Sequence, residues 1–135
     1  MTEQNMYQQL AESIGAGDSK IVPEIMKKMA DEKEAKVLLA ASPPATTEEL
    51  AEKTGFSKDE VQKMLDKLFH VGMIFKSKKE NITRYYRVRH LLQFHDASIV
   101  TPDISKDILA MWKEFDHKEW PGYLDKMENA FHKAA

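Results

Sequence analysis

The chain contains no cysteine. That absence excludes disulfides, thiolate catalysis, zinc–thiolate sites and cysteine-ligated iron–sulfur clusters within these 135 residues. It fits a reducing compartment. Long hydrophobic runs are missing too: none approaches the ~18 residues that a membrane span needs. The opening stretch "MTEQNMYQQLAESIG" is polar and acidic, unlike a secretory signal. A cytoplasmic protein without membrane contact is the expectation. Charge of one sign is also lacking, with 20 Lys and Arg against 22 Asp and Glu and a net charge of -2. Such a balance gives no global attraction to nucleic acid, so any DNA binding has to come from a local basic surface. Catalytic signatures are absent as well: no G-x-S-x-G, no phosphate loop and no cysteine nucleophile. Acidic pairs such as Glu48–Glu49 fall in helix first turns, where the helix dipole accounts for them. The expectation is a non-catalytic chain that holds no cofactor and no metal.

What is present is mostly helical periodicity. Tyr7, Leu10, Ala11 and Ile14 recur at helical spacing, and Gly15 and Gly17 close that segment. Pro23 suits the first turn of a second helix carrying Ile25, Met26 and Met29. "EAKVLLAAS" predicts a third, stopped by Pro43 and Pro44. Thr46 and Glu49 fit a capping box that opens a short helix with Leu50 and Ala51 inward, and Gly55 ends it. Ser57 and Glu60 fit a second box. Val61, Met64, Leu65 and Leu68 follow at i, i+3, i+4 and i+7, one buried stripe, and Gly72 ends the helix.

Two β-prone runs, Met73 to Lys76 and Ile82 to Val88, then flank a polar, Asn-containing turn and predict a hairpin. The order helix, short helix, turn, longer helix, hairpin is that of a winged helix. "HLLQFHDASIV" reads as an apolar connector or a short helix. Thr101 and Pro102 look like a helix start. Ile104, Ile108, Met111, Trp112 and Phe115 share a face, followed by Trp120, Tyr123, Leu124, Met127 and Phe131, with Pro121 and Gly122 marking a kink or a new helix. The fold class is therefore mainly α with a small β-hairpin. One domain spans 1–135: N-terminal helices over 1–30, a winged helix-turn-helix over 31–90 and C-terminal helices over 91–135.

Charge is distributed unevenly over this frame. On the longer helix, Lys58, Lys63 and Lys67 are offset by Asp59, Glu60 and Asp66. Its outward positions are expected to be Lys58, Asp59, Gln62, Lys63 and Asp66. Gln62 suits adenine and Lys63 guanine as base readers. In the hairpin, Lys76, Lys78, Lys79, Arg84, Arg87 and Arg89 face only Glu80. That pattern suits a wing that contacts phosphates. It equally suits an exposed edge hairpin whose lysines deter strand pairing. The candidate contact set for nucleic acid or a protein partner is Lys58, Gln62, Lys63, Lys76, Lys78, Lys79 and Arg84.

His90, His95 and Asp96 lie close in sequence, but their spacing matches neither the helical pair of a zinc protease nor a finger. Trp112, Phe115, Trp120 and Tyr123 form an aromatic cluster. At helical spacing such a cluster is more often core than an interface anchor.

The run from "YQQLAESIG" through "MKKMADEKEAKVLLAAS" and "TTEELAEKTGFSKDEVQKMLDKLFHVGMIFKSKKENITRYYRV" to "ILAMWKEFDHKEWPGYL" resembles the N-terminal region of bacterial and archaeal 4Fe-4S ferredoxin-type proteins. That resemblance implies a winged-helix accessory module acting through protein contacts, beside an attached iron–sulfur domain. The cluster ligands of that family are cysteines, so no cluster site carries over to any position here. The flanking helices and winged helix are also similar to dimeric transcription regulators of the multiple-antibiotic-resistance and arsenic-repressor type. This second resemblance implies DNA binding, with the Ser57–Val71 helix in the major groove, and a homodimer formed through terminal helices. A weaker third reading is a small-molecule sensor with a pocket between the aromatic helices and the winged-helix core.

Overall fold

The computed structural model describes residues 3–101 and 104–134, without the side chains at 3, 4, 127 and 130–134. Helices α1 (Glu3–Ser13), α2 (Ile21–Met29) and α3 (Glu32–Ala40) precede α4 (Thr47–Thr54) and α5 (Lys58–His70). Strands β1 (Ile74–Lys79) and β2 (Ile82–Arg87) form an antiparallel hairpin. Helices α6 (Leu91–Ile99), α7 (Lys106–Lys118) and α8 (Trp120–Ala134) follow.

Helix starts are set by local hydrogen bonds. Asp31 accepts from Glu34 N–H at 2.8 Å, and the Glu34 carboxylate accepts from Asp31 N–H at 2.9 Å. Thr46 and Glu49 form the expected reciprocal box at the start of α4. Ser57 caps α5 by accepting from Glu60 N–H at 3.2 Å, but the returning Glu60 bond is not formed, so the second box is only half realised. Glu60 instead lies 3.6 Å from Lys33. The α4–α5 turn passes through Gly55 at φ +80°, the left-handed region that favours glycine.

The stripe on α5 is buried as expected: Val61, Leu65 and Leu68 are inaccessible, with Met64 half-buried. They meet Val37 and Leu38 of α3, Leu50 of α4 and Ile74 of β1 in one apolar core. That core continues through Ile25 and Met26 of α2 to Trp112 and Phe115 of α7. The aromatic cluster is therefore core, with Trp120 and Tyr123 packed partly exposed at its edge. Trp112 meets Phe94 and Phe115 edge-on, and its indole N–H donates to the Ser98 hydroxyl at 2.9 Å. Met127 and Phe131 lie outside the described side chains.

The hairpin turn is the two-residue pair Glu80–Asn81, both at positive φ (54° and 65°). This is the geometry that matches strand twist in tight hairpins. Tyr85 also pairs with Ala45, exchanging backbone bonds of 2.9 and 2.7 Å. That single bridge, outside the two-stranded sheet, ties the hairpin to the α3–α4 link.

After the hairpin, one open reading is decided and one expectation is corrected. Of the two readings of "HLLQFHDASIV", the short helix holds, as α6, because Leu91 and Phe94 bury against the core and His90 caps it. Thr101 does not open a helix. Its buried hydroxyl donates back to the Ala97 carbonyl at 3.2 Å, and Ser105 caps α7 instead. Pro102 lies outside the described residues. Gly72 holds α6 close: a Cβ there would stand 2.9 Å from Ala97 backbone atoms.

Candidate nucleic-acid interface

Helix α5 exposes Lys58, Asp59, Lys63 and Asp66 and leaves Gln62 half-buried. Most of its cations are already engaged. Lys58 Nζ lies 2.6 Å from Glu48 Oε1 on α4, and Lys67 Nζ lies 2.7 Å from Glu34 Oε1 on α3. Glu48 therefore holds its carboxyl below the ordinary carboxylate range, mainly through the Lys58 hydrogen bond, and the Lys58 ammonium is raised by the same contact. Lys63 alone among the α5 lysines makes no ion pair among the described residues.

Gln62 is committed to structure. Its carbonyl accepts from the Thr47 hydroxyl at 2.9 Å. Its amide N–H groups reach Asp66 Oδ1 at 3.0 Å and the Tyr85 hydroxyl at 3.3 Å. The side chain thus links α4, α5 and β2, and reading an adenine edge would require breaking these bonds.

Register divides the hairpin into two faces. Lys76 pairs with Tyr85 and Lys78 with Thr83, while Ser77 pairs with Arg84 and Lys79 with Ile82. Because side chains alternate along a strand, Lys76 and Lys78 share the face of buried Ile74 and Tyr85. That face looks toward α5: Lys76 Nζ lies 4.4 Å from the Phe69 ring centroid. Lys78 and Lys79 are exposed, Arg84 is half-buried, and its charge helps lower the Glu49 carboxyl. The other hairpin arginines serve the fold. Arg87 donates to the Leu39 carbonyl at 3.2 Å, and burial lowers its pKa. Arg89 stacks over Tyr86 at 4.3 Å.

Of the expected contact set, Lys63, Lys78, Lys79 and Arg84 present charge beside α5 and along the hairpin. Lys58 is held by Glu48, Lys76 lies against Phe69, and Gln62 is built into the fold. Sequence reasoning missed Glu48 as a partner of Lys58. The two lie on successive helices, and only the angle between α4 and α5 brings them together. His95 has Asp96 at 3.1 Å and Asp116 at 3.5 Å. No metal-holding group of three is found among the described residues. A cleft of about 320 Å³ opens between α2, the end of α5, α6 and α7, with Met29, Val71, Ser98 and Ile108 in its wall.

Three helices, the Ala45–Tyr85 bridge and the hairpin define a winged helix-turn-helix, with helices on both sides in sequence. Residues 30–91, from just before α3 to just after β2, match the family model described as "Sugar-specific transcriptional regulator TrmB". The ferredoxin-type resemblance has no counterpart among the comparisons. Solved structures with a similar course include ZitR from Lactococcus lactis in several forms. A cysteine-to-serine variant is 19% identical, covering 79% of this chain and 75% of its own, at a TM-score of 0.41. Wild-type ZitR in complex with DNA is 20% identical, covering 76% and 72%, at 0.38. A glutamate-to-alanine variant is 19% identical, covering 96% and 90%, at 0.42. No curated protein sequence matches the chain.

Proposed function

We propose that this chain is a non-catalytic, DNA-binding transcription regulator that meets duplex DNA through α5 and the hairpin. One observation carries the reading: the stretch matching the regulator family, residues 30–91, runs from the start of α3 to the end of the hairpin. In this docking mode α5 enters the major groove, α4 crosses the backbone, and the hairpin lies along phosphates. Lys63 is the side chain on α5 best suited to a base edge. Lys78, Lys79 and Arg84 supply phosphate contacts that position the protein without reading sequence.

The balanced charge of α5 makes phosphate contacts from the hairpin the larger source of affinity. Binding should therefore weaken steeply with salt, by a slope of about 0.9 per phosphate neutralised. An electrophoretic shift with random-sequence duplex at low ionic strength tests the reading. A retarded complex that dissolves as salt rises is expected. No complex even at low ionic strength would sink it.

A further inference from the structure

The first turn of α4 carries two carboxylates with different tasks. Glu49 closes the capping box, accepting from Thr46 N–H at 3.1 Å. Glu48 has no part in that box. Its Oε1 reaches Lys58 Nζ at 2.6 Å. Both side chains remain mostly exposed, 62% for Lys58 and 63% for Glu48. Water and salt screen such a pair, so it adds little to the stability of the fold.

Its position is more informative than its strength. Lys58 is the first residue of α5, and residues at the start of the recognition helix face the DNA in helix-turn-helix docking. An anionic oxygen on that ammonium makes the contact that a phosphate oxygen would make. We infer that Glu48 is an internal stand-in for a DNA phosphate, one that holds Lys58 in the free protein and lowers affinity for duplex DNA. The inference rests on the DNA-binding reading above.

Two anions cannot both close on one ammonium without repelling each other. On binding, either Glu48 yields Lys58 or the phosphate stays away. In both cases the complex gains less than the cation content of α5 suggests. Lys58 holds the Glu48 carboxyl below its ordinary range, so the competition is fully present at neutral pH.

Fluorescence anisotropy with a random-sequence duplex, followed from low to moderate salt, tests this on four proteins: wild type, Glu48→Gln, Lys58→Gln and the double variant. Glutamine keeps an oxygen acceptor at the helix start, and circular dichroism checks that each variant folds. Glu48→Gln is expected to tighten binding several-fold and to steepen the salt slope by about one unit. In the Lys58→Gln background the same change should leave the slope unmoved. Wild-type binding with no steepening in Glu48→Gln would overturn the inference and spare the DNA reading. Equal tightening with and without Lys58 would also overturn it, by showing general charge repulsion rather than competition for one lysine. Absence of binding by both wild type and Glu48→Gln would overturn the DNA reading and the inference together.

Discussion

Lys67 Nζ lies 2.7 Å from Glu34 Oε1 and 2.7 Å from the Met29 carbonyl oxygen. One lysine on α5 thereby fastens the end of α2 to the start of α3. Glu34 is nearly inaccessible, at 8% side-chain exposure, whereas Lys67 is 46% exposed. Removing the cation leaves a buried carboxylate with only its capping bond. Lys67→Met is expected to destabilise the fold by about 1 to 3 kcal/mol, the range for stranding a partly solvated charged group. Urea unfolding measures it, and an unchanged midpoint would show that this lysine is only a surface charge.

Leu65 is fully buried where α5 meets the core. Leu65→Ala opens a cavity, and the expected cost is on the order of 2 to 5 kcal/mol. Thermal or urea denaturation reads it. A loss below about 1 kcal/mol would mean that the site collapses freely and is not tightly packed.

Gln62 separates a structural role from a base-reading one. Gln62→Ala strips partners from the Thr47 and Tyr85 hydroxyls, one buried in α4 and the other buried in β2. The expected outcome is a loss of about 1 to 2 kcal/mol in stability with no change in base preference. A shift in preferred sequence at full stability would restore Gln62 as a reader.

Lys78, Lys79 and Arg84 should behave oppositely. Alanine at Lys78 or Lys79 is expected to leave stability within about 0.5 kcal/mol, because these are surface sites, whereas Arg84→Ala, at a half-buried position, is expected to cost somewhat more. Each replacement should reduce the salt dependence of DNA binding by about one unit if the side chain neutralises a phosphate. Titrations at several salt concentrations distinguish the three contributions, and an unchanged slope in all three would remove the hairpin from the interface.

Acid should modestly weaken the contacts at the start of α4 and between the α1–α2 link and α8. Asp18, Glu48 and Glu49 all hold carboxyls below their ordinary values, through Lys126, Lys58 and the Thr46 backbone N–H respectively. A group whose folded pKa is depressed contributes stability above its unfolded pKa and loses it as pH falls through the folded value. Stability is therefore expected to be flat near neutrality and to decline on acidification into the carboxylate range. Carboxyl NMR titration should show the Glu48 midpoint rising in Lys58→Gln. A midpoint that does not move would mean the pair does not form in solution.

Much of the fold was legible because it is encoded locally. Thr46 with Glu49, Gly55, and the spacing of Val61, Leu65 and Leu68 each act within a few residues, so α4, the turn and α5 could be read directly. Where local signals compete, the reading failed. Glu60 left its capping role for Lys33, and Thr101 turned its hydroxyl back to Ala97 instead of opening α7. Neither partner choice is visible in the chain order.

The candidate interface was legible by residue type but not by availability. Composition alone determined that no cysteine chemistry operates within these residues, and residue order determined that positive charge gathers in the hairpin. Periodicity determined which face of α5 is apolar. Tertiary structure decided which cations remain free, because ion pairs join residues on different elements and depend on the angles between helices. Lys58 meets Glu48, Lys67 meets Glu34 and Arg87 meets the Leu39 carbonyl only once α3, α4, α5 and β2 have packed on their shared core.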